Sequence, residues 1–223
     1  MPHKRDQRTY NRNYYSTHRA AEIERVRIRQ AATLEFLRDL RRRPCADCGG
    51  TFPPHVMDFD HRDPRAKRLN LTNSRAMLMT RSRLRAELDK CDIVCSNCHA
   101  ERTYLYLTDP NSSYRRRAPG KSSRIDEKRA YWRCQAELLR KLRDKPCADC
   151  GQRFPFYVMQ FDHRDSSTKA AVVSRMVGRA GEERILAEVA KCDVVCSNCH
   201  RIRTYERRQV PTIKTGTLAA GVL

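Results

Sequence analysis

The chain is written twice. Pro44-Cys45-Ala46-Asp47-Cys48-Gly49 returns 102 residues later as Pro146-Cys147-Ala148-Asp149-Cys150-Gly151. Val56-Met57 and Phe59-Asp60-His61-Arg62-Asp63 return at the same spacing as Val158-Met159 and Phe161-Asp162-His163-Arg164-Asp165. Lys90-Cys91-Asp92 and Val94-Cys95-Ser96-Asn97-Cys98-His99 return 101 residues later as Lys191-Cys192-Asp193 and Val195-Cys196-Ser197-Asn198-Cys199-His200. A fixed period means two copies of one supersecondary unit. The retained residues are Cys, His, Asp and Arg, while 68–89 and 170–190 drift. A purely apolar core would keep the reverse set.

Two copies in 223 residues leave each unit small, and only 39% of the residues are hydrophobic. Ordinary globular domains reach roughly 45–50%. Units of this size need staples beyond an apolar core. The N-terminal residues carry no apolar signal segment, and no apolar run is long enough for a membrane span. The expectation is therefore a cytoplasmic protein with no membrane partner. Eleven cysteines in a reducing compartment read as metal ligands rather than disulfides. The net charge of +20 points to a polyanionic partner, nucleic acid being the commonest. The bland alternative is a merely solvated basic surface.

Each unit opens with a helical pattern: Ile23, Val26, Leu34, Leu37 and Leu40 within 19–42, and Ile125, Trp132, Ala136, Leu139 and Leu142 within 124–144. Pro44 and Pro146 close these helices. The expected organisation is a disordered basic tail (1–16), a first unit (17–107), a basic linker rich in Ser, Pro and Arg (108–123), a second unit (124–206) and a disordered tail (207–223). The basic, Tyr-containing start reads either as an arm along nucleic acid or as a solvated tail.

Cys45-x-x-Cys48 with Cys95-x-x-Cys98, and Cys147-x-x-Cys150 with Cys196-x-x-Cys199, each supply four thiolates. A C-x-x-C turn offers two sulfurs to one ion, and two turns complete a tetrahedral site. The expectation is two structural Zn²⁺ ions per chain. No βαβ pattern surrounds these pairs, which removes a thioredoxin-like reading. Cys91 and Cys192 read as small buried thiols, with ligation as the alternative, and Cys134 has no counterpart.

The segment Val56–His61 alternates as a strand and ends in Asp60-His61. A carboxylate beside an imidazole suits metal-assisted hydrolysis: Asp60 holds a divalent cation and His61 deprotonates water. His99, next to Cys98, is the candidate second ligand. Asp162, His163 and His200 form the same set in the second unit. The alternative is that these residues brace a zinc module without catalysis.

A C-x-x-C knuckle, a strand ending in Asp-His and a C-x-x-C-His opening a helix resemble the HNH endonucleases of ββα-metal fold, closest to small phage-type members. The resemblance spans about 44–105 and again 146–206. It implies an α+β chain of two tandem ββα-metal (HNH, treble-clef-like) zinc units, each preceded by a helix. It implies that Asp60, His99, Asp162 and His200 bind a catalytic Mg²⁺ or Mn²⁺, that His61 and His163 are general bases, and that the substrate is DNA. Many members also place an Asn between the two motifs. The first unit offers Asn70 and Asn73, whereas the second has none between His163 and Asn198. Arg62, Arg102, Arg164, Arg201 and Arg203 are the candidate phosphate contacts.

Three readings follow. The first is a metal-dependent endonuclease, its two units forming a pseudo-dimer within one chain. The second is a non-catalytic tandem zinc protein that binds nucleic acid. The third is a nicking or junction-resolving enzyme.

Overall fold

The computed structural model describes residues 4–71, 74–112 and 123–209. The first copy contains α1 (Lys4–Leu40), β1 (Met57–His61), α2 (Ser74–Met77), α3 (Arg81–Leu88), β2 (Cys91–Cys95) and α4 (Ser96–Thr108). The second contains α5 (Ser123–Leu142), β3 (Met159–His163), α6 (Val173–Met176), α7 (Glu182–Val189), β4 (Cys192–Cys196) and α8 (Ser197–Gln209). The described residues are thus mixed α and β, with two two-stranded sheets among them, β1 with β2 and β3 with β4. By compactness it divides into Met1–Val94 and Cys95–Leu223. Among the described residues, no helix is long and apolar enough to cross a membrane.

In Met1–Val94, the long α1 packs Leu37 into a small core with Leu71, Ala76 and Leu84. The expected apolar stripe on α1 is corrected in part. Ile23 and Leu34 are exposed, whereas Val26 is half-buried and Thr33 and Leu37 are buried. Residues 4–16, expected as a disordered tail, are the first turns of α1. No Pro or Gly interrupts 4–40, and Lys, Arg and Gln are good helix formers. Tyr14 stacks on His18 one turn later, and Arg25 pairs with Glu22 at 2.6 Å.

In Cys95–Leu223, β3 and β4 run antiparallel with Met159 opposite Cys196 and His163 opposite Cys192. One apolar cluster gathers Val158, Met159, Val194 and Val195 around Cys147 and Cys196. A second joins Leu139 of α5 to Val173, Met176 and Ile185. On α5 the buried face holds Gln135 and Leu139, while Trp132 and Ala136 are exposed. Gln135 is tolerated in the core because its amide donates to Ala180 O at 2.9 Å and its Oε1 accepts Gly178 N–H at 2.7 Å. Residues 207–209, expected in the second tail, complete α8. Its polar chain has no Pro or Gly to stop it there. Asn73, 113–122 of the expected linker and 210–223 lie outside the described residues.

Candidate metal and acid–base site

Among the described residues two four-cysteine groups form, Cys45 with Cys48, Cys95 and Cys98, and Cys147 with Cys150, Cys196 and Cys199. In each group the sulfur atoms all lie within 4.8 Å of one another, so each could hold a zinc ion. The backbone explains the knuckles. Gly49 N–H returns to Cys45 O and Gly151 N–H to Cys147 O, both at 2.9 Å. Both glycines have φ of 69°, a left-handed turn that a side chain would strain. Ala46 N–H to Ile93 O and Ala148 N–H to Val194 O, both 2.9 Å, hook each knuckle to the second strand of its pair.

The thiols of the second group show why a cation suits it. Burial raises the Cys147 thiol, but the amides of Cys150, Cys196 and Asp149 outweigh it and hold it at about 7. The Cys199 thiol is pushed far up by burial and by Cys196 and Cys147 beside it. Four thiolates repel one another until a divalent charge sits among them. Cys91 and Cys192 stand outside both groups. Their thiols point to Glu87 O at 3.4 Å and Glu188 O at 3.3 Å, and burial raises both, Cys91 to about 11. Cys134 is exposed on α5.

Asp162 and His163 close β3, and successive strand residues face opposite ways. Asp162 meets α8: its Oδ1 lies 3.4 Å from His200 Nε2, bringing together the expected pair. Two arginines of the same helix also reach it. Arg207 spans both carboxylate oxygens, at 2.9 and 2.7 Å, and Arg203 donates to Oδ2 at 3.0 Å. Burial raises the Asp162 carboxyl, but His200, Arg207 and Arg203 together hold it well below the usual carboxylate range. Arg203 also binds Asp149 of the knuckle and Asp193 of β4. Asp149 most strongly, then Asp162 and Asp193, lift its guanidinium further above its ordinary value.

His163 turns to α7, where its Nε2 lies 2.8 Å from Glu188 Oε1, both side chains less than one-tenth exposed. Glu188 further accepts Ala170 N–H at 2.8 Å, Ala171 N–H at 3.1 Å and Lys191 Nζ at 2.8 Å. Lys191 and the Ala171 amide outweigh burial, with His163 and Ala170 adding, and the carboxyl sits at about 2. The first copy repeats this arrangement. His61 Nε2 is 2.8 Å from Glu87, which also receives Arg68 N–H, Leu69 N–H and Lys90 Nζ. Burial raises Glu87, but Lys90, Arg68, His61 and Leu69 hold it at about 2. An ionised carboxylate only accepts, so each His donates from Nε2 and its neutral form carries the lone pair on Nδ1.

Glu87 and Glu188 are absent from the residues that spacing singles out. The signal is nevertheless present, since Ala86-Glu87 recurs as Ala187-Glu188 at the 101-residue spacing of the second Cys cluster. Among the candidate phosphate contacts, Arg62 donates to Cys91 O, Asp92 and Asp89 O, and Arg164 to Cys192 O, Asp193 and Ala190 O. These guanidiniums and that of Arg203 clasp the fold itself. Asn70 is exposed. Comparison of the chain with protein-family models, with curated proteins and with solved structures finds no match.

Proposed function

We propose that this chain is a metal-dependent endonuclease of the HNH kind that hydrolyses DNA phosphodiester bonds, with one structural Zn²⁺ in each repeat. The observation that carries the reading is the duplicated strand end, where an Asp precedes a His held through Nε2 by a buried, ionised Glu. Such a carboxylate fixes the imidazole tautomer and ring orientation, as general bases require. Nδ1 of His61 is then the atom that takes a proton from water. Glu87 stabilises the charged imidazolium that forms. Glu188 does the same for His163.

The four-sulfur groups fit zinc by donor type and by spacing. For the catalytic Mg²⁺ or Mn²⁺, a carboxylate such as that of Asp60 is the donor type a hard cation takes, with water completing its shell. Such a cation supplies positive charge to the phosphoryl transition state. In the second repeat the Asp162 oxygens are held by Arg203 and Arg207, so as arranged they do not fit a cation. That latch favours the second reading, a nucleic-acid-binding zinc module, for the second repeat.

Supercoiled plasmid incubated with the zinc-loaded protein and Mg²⁺ or Mn²⁺, with EDTA as control, tests the activity. His61→Ala should slow cleavage by about 10²–10⁴-fold, the usual contribution of a general base. Plasmid that stays supercoiled under every metal would leave only the binding reading.

A further inference from the structure

Between α1 and the start of α3 lies a cleft of about 390 Å³, lined by Arg29, Ala32 and Thr33 on one side and by Met79, Arg81 and Leu84 on the other. Small-ligand pockets usually span about 300–1,000 Å³. Thr33 does not cross the cleft, because its hydroxyl returns to Arg29 O at 3.0 Å. The residue 102 positions on is Gln135, and its longer amide reaches the loop before α7, at Ala180 O and Gly178 N–H. Trp132 lies so close over Gly178 that no Cβ fits between them. The first repeat thus leaves open a place that longer side chains fill in the second.

The cleft is basic at its mouth. Glu22, Glu24 and Glu35 of α1 are taken by Arg25, Arg27 and Arg38. Among the described residues, Arg29, Arg81 and Arg85 pair with no carboxylate. The first turn of α3 holds no acidic residue, whereas α7 opens with Glu182 and Glu183. Arg81 and Arg85 both lie over the Phe36 ring, 4.0 and 6.0 Å from its centre, which orients them and leaves their N–H edges for an acceptor. Such a concentration of like charge is offset by an anionic ligand.

Inside, Ala32, Met79 and Leu84 offer apolar wall, and Leu78 at the edge is 51% exposed. A ligand that combines an anionic group with a flat, weakly polar body matches both halves of the cleft. A nucleotide does so, with phosphate for the guanidiniums and a base for the apolar wall. A base stacked and paired in a duplex cannot enter, so the nucleotide must be unpaired.

We propose that the cleft between α1 and α3 holds one unpaired nucleotide of a DNA strand, its phosphates on Arg29 and Arg81 and its base against Ala32, Met79 and Leu84. This deepens the endonuclease reading above and rests on it. The chain then prefers DNA with a single-stranded or distorted stretch over perfect duplex.

Fluorescence anisotropy on the zinc-loaded full chain tests this, without added Mg²⁺ or Mn²⁺ so that no strand is cut. The probes are a labelled single strand, the same strand made abasic and its perfect duplex, with free dAMP as competitor. The intact single strand should bind more tightly than the abasic strand or the duplex. Arg81→Glu, at an exposed position, should weaken single-strand binding by about tenfold or more, the usual loss of a charge-assisted contact. Thr33→Gln, which fills the cleft as Gln135 fills its own site, should bring the intact strand down to the affinity of the abasic one. Equal affinity for intact and abasic strands would overturn the proposal, since only phosphates would then be gripped. Single-strand binding unchanged in Arg81→Glu would overturn it too, as would dAMP bound while strands are excluded. In each of these cases plasmid cleavage would leave the endonuclease reading standing. Plasmid that stays supercoiled, with neither strand nor duplex bound, would overturn that reading itself and the cleft assignment with it. Should Thr33→Gln fail to fold, the abasic strand and Arg81→Glu still decide.

Discussion

Asn97 and Asn198 cap each other's helices. Asn97 N–H donates to Asn198 Oδ1 at 3.0 Å, and Asn198 N–H donates to Asn97 Oδ1 at 2.9 Å. Both sit in the first turn, where backbone N–H groups lack partners within the helix, and Cys95 provides no side-chain cap for α4. The same residue of each repeat plays both parts, as in a two-fold contact between identical subunits. Tyr104 stacking on Tyr157 at 4.1 Å extends this contact. Each Asn→Ala change should cost about 1 kcal/mol, the usual loss for a capping side chain. The two Asn side chains bond backbone groups on opposite residues, so a double-mutant cycle from urea midpoints should show coupling of about 0.5 kcal/mol or more. Strict additivity would mean that the two caps act independently.

The buried Glu87 makes a prediction with a definite sign. Its carboxyl lies at about 2, below the ordinary 4.5, so the carboxylate is favoured in the folded state. A depressed carboxyl stabilises the fold fully above pH 4.5, and that contribution drains away as pH falls toward 2. Glu87→Gln removes the charged acceptor of four donors and should cost at least about 2 kcal/mol at pH 7. Urea midpoints of the two proteins should then converge as pH falls below 4.5. Cadmium in the thiolate sites would keep the knuckles loaded at lower pH, because it is the softer ion. A gap that stays constant into strong acid would sink this account of Glu87.

Much of the fold was legible because the chemistry was repeated. The C-x-x-C pairs and the strand ending in Asp-His follow from spacing and alternation, the helix opening at the last pair from the resemblance, and β1, β3, α4 and α8 occupy those segments. What escaped was whatever depends on distance through space. Glu87 and Glu188 lie in the stretch that otherwise drifts, and only folding brings them to His61 and His163. Arg62, Arg164 and Arg203 read as phosphate contacts because a sequence shows charge but not its partner. Three carboxylates claim Arg203. The buried face of α1 drifted from its apolar pattern because Thr33 can return its hydroxyl to Arg29 O at 3.0 Å and so enter the core.

Metal content offers the most direct check on the four-sulfur groups. Two zinc ions per chain are expected, and chelation should unfold both small sheets, since each is too short to stand alone. Cys147→Ser should abolish one ion and melt the β3–β4 unit. Cys134→Ser should change neither, because that thiol is exposed on α5. Fewer than about one zinc in undenatured protein would contradict the structural role.

Salt dependence separates charge that grips nucleic acid from charge that holds the fold. Each phosphate neutralised contributes about −0.9 to the slope of log K against log salt. Arg62 and Arg164 already donate to backbone carbonyls and to Asp92 and Asp193. Arg62→Ala should therefore lower stability while leaving the slope nearly unchanged. The exposed face of α1 is different, since Arg8, Arg12 and Arg19 are exposed there beside the exposed Tyr10 and Tyr14. Guanidiniums interleaved with aromatic rings suit phosphates and bases together. Replacing all three arginines by Ala should reduce the slope by about 2–3 in magnitude, with thermal stability unaltered. An unchanged slope would assign α1 to solvent and leave the proposed nucleic-acid contacts to other basic residues of the chain.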